Sequence, residues 1–87
     1  MRLDKFLKVS RLIKQRTRAK NLCENQAIAV NDRAAKASHS VCVGDEIKIV
    51  DGEREIHARI LEIPTGNVSR KKAREIVKIM GDDWLDE

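Results

Sequence analysis

Residues 1–25, MRLDKFLKVSRLIKQRTRAKNLCEN, carry the pattern that decides the fold. Apolar side chains recur there at intervals of three and four residues, as they do on one face of an α-helix. These residues are Leu3, Phe6, Leu7 and Ile13. We therefore predict a first helix over residues 3–11 and a second helix over residues 16–25. The second helix would bury Ala19, Leu22 and Cys23.

The same stretch is strongly basic. Its first twenty residues carry a net charge of +7, against +4 for the whole chain of 87 residues, and Asp4 is their only acid. A charged helix face is often ordinary solvated surface, but like charges on neighbouring elements repel each other, and tolerating that repulsion indicates an external polyanion. Nucleic acid is the commonest polyanion. A helix that lies on a membrane would need bulky apolar residues on its other face. In this stretch the protein core uses those residues, so a membrane is the less favoured polyanion.

The aromatic content narrows the mode of binding. The chain has one Phe, one Trp and no Tyr. Domains that read single-stranded bases stack them on aromatic side chains, and this sequence offers no such platform. Binding is therefore expected to use phosphates, 2′-hydroxyls and the shape of the nucleic acid, with a strong dependence on salt.

Beyond residue 25, where Asn25 is expected to be left-handed, the apolar pattern shortens to the alternation typical of strands. The predicted strands are residues 27–30, 33–36, 46–50 and 55–63. Turns are expected at Asn31-Asp32, where both side chains tolerate positive φ, and at Asp51-Gly52. Ser69 should cap a third helix over residues 70–80, ended by Gly81. The predicted fold class is α+β, with two N-terminal helices packed on a small, mostly antiparallel curved sheet and a C-terminal helix.

Catalytic and metal-binding patterns are weak. His39 and His57 are 18 residues apart without further ligands at metal spacing. His39 and Cys42 lack a third group that would orient them as a nucleophilic pair. The string Ser69-Arg70-Lys71-Lys72 matches the S-x-x-K of serine acylases by letter only. We therefore predict that the protein is not an enzyme and that it uses no metal and no cofactor.

Cellular context is also suggested by composition. The two cysteines have no CxxC spacing and read as reduced thiols, with Cys23 in the core. No apolar run approaches the length of about 20 residues that a membrane span needs, and the N-terminus has no continuous apolar segment of a signal peptide. We expect a cytoplasmic protein that does not bind membranes and acts as a monomer.

Four short motifs, in order, resemble a known family. They are Arg2-Leu3-Asp4-Lys5, Arg16-Thr17-Arg18-Ala19-Lys20, Val30-Asn31 and Val43-Gly44-Asp45-Glu46-Ile47. Together they are similar to the S-four RNA-binding domain, or alpha-L motif, over roughly residues 1–50. The resemblance divides the chain into an RNA-binding domain at residues 1–66 and a helical extension with an acidic tail at residues 67–87.

The whole length, with Leu7-Lys8-Val9-Ser10-Arg11-Leu12-Ile13-Lys14 in the first helix, is most similar to the RqcP-type proteins of bacterial ribosome quality control. The resemblance implies binding to a large ribosomal subunit obstructed by peptidyl-tRNA. The implied partners are ribosomal RNA of the large subunit, the peptidyl-tRNA and an RqcH-type factor that adds alanine tails to the stalled chain. The ribosome-associated heat-shock proteins, which recycle stalled large subunits, are the close alternative.

The resemblance implies that Arg2 and Arg16 are the principal RNA-contacting residues and that Asp4 orients one of them. Together with the charge pattern, it gives a set of candidate RNA-binding residues: Arg2, Asp4, Lys5, Lys8, Arg11, Arg16, Arg18, Lys20 and Lys36. Two positions depart from the family, which usually has glycine at Gln26 and Asp32. Asn25 and Asn31 are expected to take over the left-handed backbone through a shift of one residue.

Two other classes of function stay open. A DNA-binding helical module would use Gln15, Arg18 and Asn21 of the second helix to reach base edges. A protein-interaction module would rest on the third helix together with Trp84 and Leu85. Competition between duplex DNA and ribosomal RNA would distinguish the DNA-binding module from an RNA-binding protein. Salt-insensitive binding to a protein partner would favour the protein-interaction module.

Overall fold

The structure is a computed structural model and describes residues 1–66 and 68–82. Three helices and five strands follow one another along these residues. In chain order they are α1 (Leu3–Val9), α2 (Arg16–Glu24), β1 (Ile28–Val30), β2 (Arg33–Ala34), β3 (Glu46–Asp51), β4 (Arg54–Ile60), α3 (Arg70–Glu75) and β5 (Val77–Asp82). The predicted α+β class is confirmed. The acidic end of the chain with Trp84 and Leu85 lies outside the described residues.

The strands form one antiparallel sheet in the order β2-β1-β3-β4-β5. Apolar residues of β1, β3 and β4 face α1 and α2 across a single core, as the alternation predicts. The fully buried side chains with the largest volumes are Phe6, Leu3, Leu7, Ile28, Ile47, Ile49, Ile60 and Ile76. Cys23 also lies in this core, as predicted.

The start of α1 is fixed by the segment that follows β2. No side chain caps this helix, but its first two N–H groups donate to backbone carbonyls instead: Leu3 to His39 at 2.7 Å and Asp4 to Ala37 at 3.1 Å. Arg2 forms a β-bridge with Ser40. These bonds satisfy donors that every helix start leaves unpaired, and they hold Asp4 in a buried position.

The first expected turn forms where it was predicted, and the second is displaced by one residue. Asn31 and Asp32 both have positive φ, at 52° and 68°, as the central pair of a type I′ hairpin requires. The Asn31 side chain also accepts from the Glu46 N–H at 3.0 Å and donates to Asp45 at 3.1 Å. At the second turn, Gly52 and Glu53 are the central pair, and Gly52 has the positive φ of 65°.

Several predicted boundaries and backbone conformations are wrong. Helix α1 ends at Val9, because Arg11 adopts a left-handed conformation at φ 62°. Asn25 does not take the left-handed conformation: its φ is −90°, and Gln26 itself has φ 58°. The expected one-residue shift therefore does not occur at this position. At the second position, where Asn31 was expected to replace Asp32 as the left-handed residue, both residues are left-handed.

The third helix is the largest correction. Ser69 caps α3 as predicted, accepting from the Lys72 N–H at 3.1 Å, but the helix ends at Glu75. Residues 77–82 form β5, which pairs with β4, instead of a continued helix ended by Gly81. The apolar residues in this stretch suit either structure, and β-branched ones favour a strand where a neighbouring strand offers hydrogen bonds. The domain boundary at residue 66 stays a prediction.

Candidate nucleic-acid interface

The centre of the basic surface is one buried carboxylate held by two arginines. The Asp4 side chain is 4% exposed, whereas the side chains of Arg2 and Arg16 are 51% and 47% exposed. Arg2 Nε lies 3.2 Å from Asp4 Oδ1, and Arg16 Nε lies 3.2 Å from Asp4 Oδ2. Each guanidinium also reaches the other oxygen through Nη2, at 3.5 Å and 3.4 Å respectively. Asp4 thus contacts both arginines, although the sequence led us to expect one.

Asp4 stays ionised in this position. Burial by itself raises the pKa of Asp4, but the hydrogen bond from Arg16, the Lys5 N–H at 2.8 Å and the charges of both arginines outweigh it and lower the pKa below its usual value. A single negative charge is therefore shared by two fixed positive charges. The group as a whole carries an excess of one positive charge, which its two arginines present to solvent.

Two grooves flank this centre. The first, which we call the α1 groove, has a volume of about 580 Å³, and its described lining residues include five cations and no acid. Its described lining residues are Lys5, Lys8, Val9, Arg11, Lys14, Arg16, Gly66 and Val68. Lys14 was not among the predicted site residues. Gly66 and Val68 follow β4, far from α1 in the sequence, so no local pattern places them at this groove.

The second groove, which we call the α2 groove, borders the same centre through Arg2. Its cations are Arg2, Lys20 and Lys36, and one acid, Glu24, stands among its lining residues. Lys36 reaches this groove because the segment after β2 returns to the start of α1. Cys23 lies in the floor, where burial first, and then the charges of Asp4 and Glu24, raise the pKa of its thiol to about 11. It is therefore a neutral thiol at physiological pH.

Eight of the nine candidate residues lie at the Asp4 centre or in these two grooves, and Arg18 does not. Arg18 Nη2 lies 2.6 Å from both carboxylate oxygens of Asp51, at the end of β3. Its charge is therefore neutralised by a partner 33 residues away, which spacing along the sequence could not reveal. Asp32, the acid at a usual glycine position, lines a separate pocket with Glu46 and His57 and leaves the α2 groove clear.

Two kinds of feature are absent from the described residues. No group of three or more His, Cys, Asp or Glu side chains in residues 1–66 and 68–82 is placed to hold a metal ion. None of the helices in the described part of the chain is long and apolar enough to cross a membrane.

Known proteins share both sequence and fold with this chain. Residues 1–47 match the S4 domain. The RQC P-site tRNA stabilizing factor of Listeria innocua is 44% identical over 87 residues, covering 100% of this chain and 94% of that protein. The factor of the same name from Bacillus subtilis is 39% identical, covering 100% of both chains.

The fold also matches a solved structure. The trimeric structure of Vibrio cholerae Heat Shock Protein 15 superposes with a TM-score of 0.83 at 30% identity, covering 92% of this chain and 81% of that one. The S4 domain match spans more than half of the chain, and the relatives align along nearly their whole length. This chain therefore belongs to the S4 domain family, among the RQC P-site tRNA stabilizing factors.

Proposed function

We propose that this protein binds structured RNA through its phosphates, with Arg2 and Arg16 as the principal contacts. The observation that carries the proposal is the buried Asp4 carboxylate, which fixes both guanidinium groups at the junction of two basic grooves. A guanidinium that is already oriented loses less conformational freedom when it binds a phosphate, and planar bidentate recognition suits phosphate oxygens.

The geometry leaves donors for such a ligand. Each arginine uses two of its five N–H bonds on Asp4, through Nε and Nη2. The remaining N–H bonds of two half-exposed side chains can then bind an external anion. Lys5, Lys8 and Arg11 on one side, and Lys20 and Lys36 on the other, would follow the RNA backbone away from this centre.

The relatives suggest where this RNA is found, since their name refers to ribosome quality control and to P-site tRNA. In this proposal the protein binds ribosomal RNA and tRNA on a large ribosomal subunit obstructed by peptidyl-tRNA, as a cytoplasmic monomer. It has no catalytic role of its own and supports an RqcH-type factor in adding alanine tails. The fold shared with Heat Shock Protein 15 keeps recycling of stalled large subunits as the second candidate.

A DNA-binding role is less favoured by the structure. Of the three side chains that such a module would aim at base edges, Arg18 is engaged by Asp51. Gln15 has an extended backbone in front of the first residue of α2. Binding through backbone phosphates, in contrast, needs only the fixed positive charges that the two grooves supply.

Purification of the tagged protein from its host tests the proposal. We expect recovery of large subunits that carry peptidyl-tRNA, together with an RqcH-type factor, and we expect Arg16→Ala to lose them while Arg18→Ala keeps them. Recovery of large subunits without the RqcH-type factor would favour the recycling role. Recovery of DNA, or equal recovery of subunits with Arg16→Ala, would contradict the proposed function.

A further inference from the structure

A third basic groove lies between the turn after α1 and the α3–β5 segment, and we call it the α3 groove. Four cations line it: Arg11, Lys14, Arg70 and Arg74. No acid is found among its described lining residues. Its apolar residues include Ala73 and Val77, which are buried, and Ile79, which is 47% exposed.

The cations of α3 differ in their surroundings: two arginines line the groove, and Lys72 pairs with glutamates. Arg70 and Arg74 are four residues apart, so they share the face that borders the groove, where like charges repel each other. Lys72 has its partners elsewhere: its Nζ lies 3.0 Å from a Glu62 oxygen and 3.9 Å from Glu75. The acids near α3 thus pair with Lys72, and two arginines are kept together on the groove side.

The α3 groove adjoins the α1 groove, because Arg11 and Lys14 line both. Arg11 has a further peculiarity. It follows the last turn of α1 in the left-handed conformation at φ 62°, a position at which glycine is usual. A left-handed backbone is unfavourable for arginine, and such strain is found preferentially at functional sites.

We propose that the α3 groove binds a second segment of RNA backbone, with Arg70 and Arg74 as phosphate contacts and Arg11 shared between the two segments. This inference rests on the proposed function, because it extends the same RNA-binding surface onto the C-terminal part of the chain. RNA is favoured over an acidic protein partner because the α3 groove adjoins the α1 groove and shares two cations with it.

Hydroxyl-radical footprinting on large ribosomal subunits tests the proposal, because it reports the exposure of the RNA backbone. We expect the parent protein to protect two separate backbone segments. Arg70→Ala/Arg74→Ala should lose one of them and keep the other, and Arg16→Ala should weaken both. The observed binding constant, Kobs, falls as salt rises. The slope of log Kobs against log salt should become shallower by about 1.5 in the double variant, as expected for two lost phosphate contacts.

Two further variants control for charge and for folding. Lys48→Ala/Arg59→Ala removes the same charge from β3 and β4, where both cations pair with glutamates, and should leave the footprint and the slope unchanged. Arg11→Gly removes the shared cation and relieves the left-handed backbone. It should therefore weaken protection of both segments while its Tm stays equal to that of the parent or rises.

The outcomes separate this inference from the proposed function. If the parent protects two segments and Arg70→Ala/Arg74→Ala still protects both with the parental slope, the α3 groove does not bind RNA. In that case the inference is wrong while the proposed function stands. If the parent protects no RNA at all, both fail.

Discussion

Arg16 and Arg18 stand two residues apart in α2, and each pairs with an aspartate, but the two pairs present different charges to solvent. Asp4 is buried and shared by two arginines, so the group keeps one excess positive charge. Asp51, whose side chain is 33% exposed, sets one carboxylate against the one guanidinium of Arg18, so the charges of that pair cancel. The comparison teaches that a count of charges along a helix is not the charge of its surface. A buried acid can orient cations, whereas an exposed acid cancels one.

The largest expected effect is the loss of the buried carboxylate. Asp4→Ala leaves Arg2 and Arg16 close together without their shared partner and removes the acceptor of the Lys5 N–H. The free energy of unfolding should fall by about 2–3 kcal/mol, as for a broken buried charge network whose cations stay half exposed. Urea denaturation measures this. Asp51→Ala is the matched control and should cost less than about 1 kcal/mol. Equal losses in the two variants would show that the buried and the exposed aspartate contribute alike to stability.

The pH dependence of stability tests whether Asp4 acts through its charge. Because the pKa of Asp4 is lowered in the folded protein, its ionised form stabilises the fold above the unfolded pKa of about 3.9. That stabilisation is lost as the pH falls through the folded pKa. The difference in unfolding free energy between the parent and Asp4→Asn should therefore be greatest near neutral pH and shrink in acid. A difference that is constant between pH 7 and pH 3 would show that Asp4 does not act through its charge.

The smallest effect is expected for the exposed pair. A double-mutant cycle between Arg18 and Asp51, measured by thermal unfolding, should give a coupling energy of about 0.2–1 kcal/mol. The corresponding cycle between Arg16 and Asp4 should give a larger value, because Asp4 is buried. A stronger coupling between Arg18 and Asp51 than between Arg16 and Asp4 would contradict the view that the buried aspartate holds its arginine more firmly.

The sequence predicted local features well and distant ones poorly. The two N-terminal helices, the Asn31-Asp32 turn and the Ser69 cap follow from the neighbouring residues alone. The strand at residues 77–82 could not be predicted, because its apolar pattern also suits a helix and only pairing with β4 decides between them.

The candidate site shows the same limit. The basic stretch at residues 2–20 predicts an RNA-binding surface around Asp4, but the neutralisation of Arg18 depends on Asp51, 33 residues away. In the same way, Lys36 enters the α2 groove only because the segment after β2 bonds to the start of α1. Arg70 and Arg74 border the α3 groove through tertiary packing that no local pattern encodes.

The most direct test of the central claim is the salt dependence of RNA binding for Arg16→Ala and Arg18→Ala, measured side by side on large ribosomal subunits. Both variants remove one positive charge from the same helix, so they differ only in the pair that is broken. Arg16→Ala should weaken binding and reduce the slope of log Kobs against log salt by about 0.7–0.9, the value for one phosphate contact. Arg18→Ala should leave the slope unchanged. Equal changes in the two variants would contradict the claim that Asp4 selects which arginine binds RNA.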